Sequence, residues 1–262
     1  MTAILTNLIH FDKTQLQLIN RRSLRYGLGD AEKDYFLAAV SRLIFESPLK
    51  EEMVFKGGTA LHHCYLDQLR FSEDLDFTSI NKNITPDKVN KVLESGGIFR
   101  VKKQYVSKAT IKTERLLYTG PLGQPNSLKV EIDFIQNVVL PARHMKYNNV
   151  WGLDVNVNVM DIREICAEKI RAMSDRARYR DFYDLYQILK NFTINLDEIV
   201  KLIKQKEIRK PITRKSIMKN WQLAKQDKLS DEGRIYYKEN VSEQEIEKVL
   251  NKLPLDVIKA QS

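Results

Sequence analysis

Apolar residues repeat at helical spacing through the first fifty positions. The pattern is clearest after Asp30-Ala31-Glu32-Lys33, where Phe36, Val40, Leu43 and Ile44 mark one face. The period then changes. Met53-Val54-Phe55 reads as a short strand that Gly57-Gly58 breaks, and Thr59 to Leu66 returns to helix, with Leu61, Cys64 and Tyr65 on one side. Leu75 and Phe77 alternate with acids, a strand pattern. Pro86 suits the first turn of a helix that runs to Leu93 and ends at Gly96-Gly97. Residues 98–119 alternate enough for two strands, Leu128 to Ile135 for another, and Val150 to Val159 is a further alternating stretch. From Asp161, which with Glu164 makes a capping-box-like start, helices are predicted at 161–176, 179–190, 196–206, 214–225 and 242–252.

The expected fold class is α+β: a mixed sheet with one crossover helix and flanking helices, then a helical C-terminal part. The expected division is 1–160, a core with N-terminal helices, and 161–262, a helical domain. No Gly/Ser/Pro linker marks the boundary, so the halves are expected to pack together.

Composition narrows the classes. Two cysteines, Cys64 and Cys166, exclude a disulfide scaffold and a four-thiolate zinc site, and such low usage fits a reducing cytoplasm. The start of the chain lacks a basic stretch followed by an apolar run, and no 18 consecutive apolar residues occur, so neither a leader nor a membrane span is expected. Lys and Arg number 43 against 34 Asp and Glu. The excess gathers between Lys201 and Lys228, ten basic residues against two acidic ones, Glu207 and Asp227. Such a run suits a polyanion, although a solvated helix face has the same composition. Trp221 within it stacks on a base or, the reading preferred here, packs in a core.

Four stretches carry chemistry. In Arg70-Phe71-Ser72-Glu73-Asp74-Leu75-Asp76-Phe77, a strand puts Asp74 and Asp76 on one face and Leu75 and Phe77 on the other. Paired carboxylates repel, and a hard cation such as Mg²⁺ relieves them. Alone, the pair also suits a solvated strand. Upstream, Lys56-Gly57-Gly58-Thr59 offers bare backbone N–H groups and a hydroxyl at a strand–helix turn, a phosphate site or simply a tight turn. Leu128 to Phe134 repeats the alternation, with Lys129, Glu131 and Asp133 on its polar face. Beside the first strand it would bring three or four carboxylates together.

The fourth stretch is helical. Ile162, Ile165, Cys166 and Met173 fall within about 60° of Lys169 on a 100°-per-residue wheel, so this lysine sits mid-stripe and must snorkel or reach an anion. Arg176 shares its line. In Arg178 to Tyr186, Asp181 borders the apolar face and is positioned to hold Lys169 or Arg176, whereas Asp184 is expected to point away.

Together, K-G-G-T-A-L, R-x-S-x-D-x-D, E-K near residue 168 and R-x-R-D-x-x-D-L near residue 180 resemble the AbiEii/AbiGii-type nucleotidyltransferase toxins, which include the MenT-type toxins, within the polymerase-beta-like superfamily. The resemblance runs from about Lys56 to Tyr186. It implies a nucleoside triphosphate substrate, Mg²⁺, transfer to the 3′ end of tRNA that blocks translation, a nearby cognate antitoxin and a role in phage defence. Carried over residue by residue, Gly58 and Thr59 match the phosphate-contacting turn, with Ser72 beside the metal-binding Asp74 and Asp76. Lys169 matches the lysine that reaches the triphosphate, and Asp181 the acid of the R-D motif. The third carboxylate is Glu131 or, on the same face, Asp133. Gly-Thr replaces the superfamily's commoner Gly-Ser. The rivals are transfer to a small molecule or protein, and a non-catalytic nucleic-acid-binding module.

Overall fold

The structure, a computed structural model, describes residues 11–206, 208, 210–232, 235–255 and 257–259. The first ten positions of the expected N-terminal helical stretch, and Glu207 and Arg209 of the basic run, lie outside the described residues, as does the side chain of Asp227.

Two compact units result, and neither is a single stretch of chain. The first comprises Met1–Asp67, Ser72–Ile135 and Ala142–Val159, and the second Gln68–Phe71, Gln136–Pro141 and Met160–Ser262.

The first unit is built on a seven-stranded sheet: β1 (Met53–Lys56), β2 (Asp74–Ser79), β3 (Arg100–Val106), β4 (Thr110–Thr119), β5 (Pro125–Asp133), β6 (Arg143–Lys146) and β7 (Asn156–Val159). The strand order is β3-β4-β5-β2-β1-β7-β6. β2 runs parallel to β5 and β1 parallel to β7, and the other pairs are antiparallel. Helix α1 (Lys13–Ile19) opens on a capping box in which Asp12 and Gln15 satisfy each other's backbone N–H groups. Helix α2 (Leu28–Phe45) is buried on nearly every side, with Glu32, Asp34 and Ser41 among its buried residues. It packs against β5 and β7, covering the face that carries Leu75, Phe77, Leu128, Val130 and Ile132. Helix α3 (Gly57–Ala60) follows β1 directly and continues as a π-helical turn, Leu61–Tyr65. Helix α4 (Pro86–Leu93), capped by Thr85, is the expected crossover helix.

Two strands differ from the expectation. The stretch from Val150 becomes strand only at Asn156, and β6 carries no alternation to betray it, because Arg143-His144-Met145-Lys146 forms a solvent-facing edge.

The second unit holds α5 (Ile162–Asp175), α6 (Tyr179–Asn191), α7 (Leu196–Lys204), α8 (Arg214–Glu232) and α9 (Glu243–Lys252). α5 packs on α6, α7 and α8, and α6 on α8 and α9. The short segment Gln68–Phe71 is stitched into it by hydrogen bonds from Phe71 N to Tyr236 O, Lys238 N to Leu69 O and the Tyr183 hydroxyl to Leu69 O.

Candidate active site

The parallel register of β2 and β5 assembles the acidic face. Asp74 lies opposite Lys129, Asp76 opposite Glu131 and Thr78 opposite Asp133, and residues directly opposite share a face. Asp74, Asp76 and Glu131 line a cavity of about 390 Å³ together with Glu114, Lys103, Lys112, Arg115 and Lys129.

Lysines interleave with the acids. Lys112 meets Glu131 at 3.1 Å and Lys129 meets Asp74 at 3.7 Å. The Glu131 carboxylate, by hydrogen bond and charge, raises the Lys112 ammonium above its ordinary pKa. The expected convergence of three or four carboxylates is therefore diluted. Among the described residues no three of His, Cys, Asp and Glu come close enough to hold a metal on their own. Of the two candidates for the third carboxylate, Glu131 lies opposite Asp76, while Asp133 lies opposite Thr78, with its Oδ2 at 3.1 Å from Lys56 Nζ and its Oδ1 accepting from Ile135 N at 2.7 Å. The donor set nonetheless fits Mg²⁺. Two hard carboxylates on one face, with room for water and phosphate oxygens, are how that ion is usually held.

The glycine turn touches the acids from the other side. Gly57 has φ +78°, and a Cβ there would lie 2.4 Å from Asp76 Oδ2 and 3.0 Å from Asp76 Cβ. Only glycine allows both that backbone conformation and that approach. Gly58 follows in the first turn of α3. The Thr59 side chain is fully buried, and its hydroxyl donates to the Asp74 carbonyl oxygen at 2.5 Å, which clamps the turn onto β2. Ser72 stands half-buried on the approach to β2.

The helical unit holds the remaining candidates. Lys169, 8% exposed, extends its Nζ to Asp181 Oδ1 (3.1 Å) and Asp184 Oδ2 (2.6 Å). Arg176 Nε donates to Asp181 Oδ2 at 2.8 Å, so Asp181 makes both contacts its wheel position suggested. Burial alone would raise the Asp181 carboxyl, but the charges of Lys169 and Arg176 outweigh it and hold the group below its usual pKa. Asp184 does not point away. It is completely buried and takes a bidentate pair from Arg70, 2.7 Å at both contacts. α6 is buried nearly all round, so a wheel that assumes one wet face misplaces this residue.

The AbiEii family model, described as a nucleotidyl transferase toxin of a type IV toxin–antitoxin system, matches residues 38–257. The chain belongs to this family. MenT4, a nucleotidyltransferase toxin from Mycobacterium tuberculosis, shares its fold, with a TM-score of 0.61 at 21% identity over 91% of this chain and 98% of that one. An antigenic nucleotidyltransferase-like protein from Paracoccidioides brasiliensis matches with a TM-score of 0.46 at 15% identity, over 66% of this chain and 86% of its own. No curated protein matches the sequence. The chain is thus an AbiEii-type nucleotidyltransferase toxin, and its family implies an antitoxin partner. Among the described residues no helix is long and apolar enough to cross a membrane.

Sequence reasoning missed several residues of this toxin's cavity. Lys103, Lys112 and Arg115 lie on strands with no motif at all. The basic run also proves uneven. Lys206 is buried, with Nζ at 2.5 Å from Glu164, 3.1 Å from Glu168 and 2.7 Å from the Asn137 carbonyl oxygen. Trp221 is fully buried and donates to Glu247, while Lys201, Lys210, Lys215 and Lys219 are exposed.

Proposed function

We propose that the toxin transfers a nucleoside monophosphate from a nucleoside triphosphate to an RNA acceptor, the 3′ end of tRNA, and so blocks translation. The observation that carries this reading is the register of β2 and β5, with Asp74, Asp76 and Glu131 on one face of a cavity that also holds four cations. Asp74 and Asp76 would hold Mg²⁺, which supplies charge neutralisation on the triphosphate and an electrophilic α-phosphorus. Glu131, opposite Asp76 in the β2–β5 register, would accept the proton of the attacking 3′-hydroxyl. The bare backbone of the Gly57-Gly58 turn, which at Gly57 closely approaches Asp76, would serve the phosphates. Thr59 supports the turn, and Ser72 enters the reading through the family resemblance. Lys169 and Asp181 enter the reading through the family resemblance, Asp181 as the group that fixes the lysine. A positioned metal and neutralised charge make a covalent enzyme intermediate unnecessary.

Incubation with each labelled triphosphate, total tRNA and Mg²⁺ tests the reading. Label is expected on tRNA and to vanish when Mg²⁺ is chelated. Label found instead on protein or on a small molecule, or none with any triphosphate, would overturn it.

A further inference from the structure

The cavity's cations form a pattern of their own. Tyr105 on β3 pairs with Lys112, Lys112 with Glu131, Glu131 with Asp76 and Asp76 with Lys56, one row of side chains running across five strands on a single face. In the next row Asp74 lies opposite Lys129. Opposite Lys129 the ladder slips, because Thr113 pairs with Val130 but Leu116 with Leu128, so β4 sets two residues, Glu114 and Arg115, against one. This is a β-bulge, and it turns both side chains into the cavity, where strict alternation would have sent one of them to the core. Arg115 then pairs with Lys103 of the edge strand.

Three of the four cations have acidic partners at hand: Lys103 on Glu114, Lys112 on Glu131 and Lys129 on Asp74. Arg115 is exposed and, among the described residues, makes no ion pair. A guanidinium turned outward by a bulge beside the acids is suited to bidentate contact with phosphate. Tyr105 stands at the outer end of the row with 57% of its surface exposed.

Position separates two sources of phosphate. The glycine turn touches Asp76 from the β1 side, and the cations lie on the opposite side, over β5, β4 and β3. The three strand spacings from Asp76 to Tyr105 cover roughly 14 Å, long enough for a short run of single-stranded backbone. We propose that Lys103, Arg115 and Lys129 cradle the phosphodiester backbone of the acceptor RNA, and that Tyr105 stacks on one of its bases. This deepens the functional reading above and rests on the acceptor's being RNA.

The test compares the toxin with Arg115→Glu/Lys103→Glu and with Tyr105→Ala, all changes at exposed positions, with melting curves to confirm folding. Filter retention of a labelled single-stranded RNA is expected to show at least a tenfold weaker affinity for the double variant. Its log–log salt slope should be shallower by roughly 0.7 for each phosphate no longer held. Tyr105→Ala is expected to weaken RNA binding about fivefold with the salt slope unchanged, as loss of stacking requires. Affinity for inorganic triphosphate in Mg²⁺, measured by calorimetry, should stay within twofold. Unchanged RNA affinity in the double variant would overturn the proposal, and so would a loss that falls on triphosphate instead. A parallel assay of labelled triphosphate transfer by the unaltered toxin keeps the two readings apart. Absent transfer to RNA sinks the functional reading itself, whereas normal transfer with RNA binding insensitive to Arg115 and Lys103 sinks only the cradle.

Discussion

Each unit of this toxin contains a close pair of aspartates, and the two pairs live under opposite conditions. Asp74 and Asp76 sit on a strand at a cavity wall, with 35% of the Asp74 side chain exposed and a lysine 3.7 Å away, too far for a hydrogen bond. Asp181 and Asp184 sit on a helix, completely buried, with three cations, Arg70, Lys169 and Arg176, within 2.6 to 3.1 Å. The buried pair is more than matched in charge and has no room for a ligand. The strand pair faces an open cavity. A carboxylate that works on a substrate must be able to exchange partners, and one that holds a core together must not.

The comparison can be broken at either pair. The largest effect is expected at the open one. Asp76→Asn keeps the shape but halves the metal's carboxylates, so transfer should fall about a thousandfold or more, while the melting temperature stays within a degree or two. Near-normal turnover at equal Mg²⁺ would remove Asp76 from the chemistry.

At the closed pair the loss should appear in stability. Asp184→Ala strands Arg70 and part of Lys169 without a partner, and unfolding by urea should show a loss of about 3–5 kcal/mol. A stable but inactive Asp184→Ala would mean that the buried pair belongs to the reaction. Lys169→Met sharpens the contrast, because its stem packs while the charge is lost. A stability loss of about 3 kcal/mol with unchanged triphosphate affinity in the folded protein would assign Lys169 to architecture. Weakened triphosphate affinity would support the role its family resemblance implies.

Gly57→Ala joins strain to obstruction. A β-carbon at φ +78° beside Asp76 Oδ2 should cost about 2 kcal/mol, and transfer should drop because the Asp76 carboxylate must move. The smallest effect is in acid. The folded Asp181 carboxyl titrates below its unfolded value, so its contribution is complete above about pH 4 and is lost as pH falls through the folded value. Urea midpoints measured from pH 6 downward should decline in the unaltered toxin, and the part of that slope due to this group should be missing in Asp181→Asn.

Most helices could be read directly, and the reason is local. Thr85 and Pro86 start α4, Ser242 caps α9, and the 3.6-residue repeat between such signals needs no distant partner. β6 escaped because an exposed edge strand needs no apolar alternation. Within the candidate site, Asp74 and Asp76 were legible as a pair because two residues on a strand share a face wherever that strand lies. A hydroxyl beside two glycines looks the same along the chain whether it meets a phosphate or a backbone carbonyl, and only the fold showed that the Thr59 hydroxyl donates to the Asp74 carbonyl oxygen.

By itself the sequence determined the periodicities, the caps, the acid pair and the glycine turn, all of which are properties of neighbours along the chain. Tertiary structure alone decided the rest. The β2–β5 register chose Glu131 over Asp133 as the companion of Asp76, because both share a face and only the pairing says which of them lies opposite. The β4 bulge brought Arg115 into the cavity, and Arg70, more than a hundred residues distant, reached Asp184 and turned a residue expected at the surface into part of the core. Such pairings depend on which strands and helices become neighbours, and no spacing along the chain records that choice.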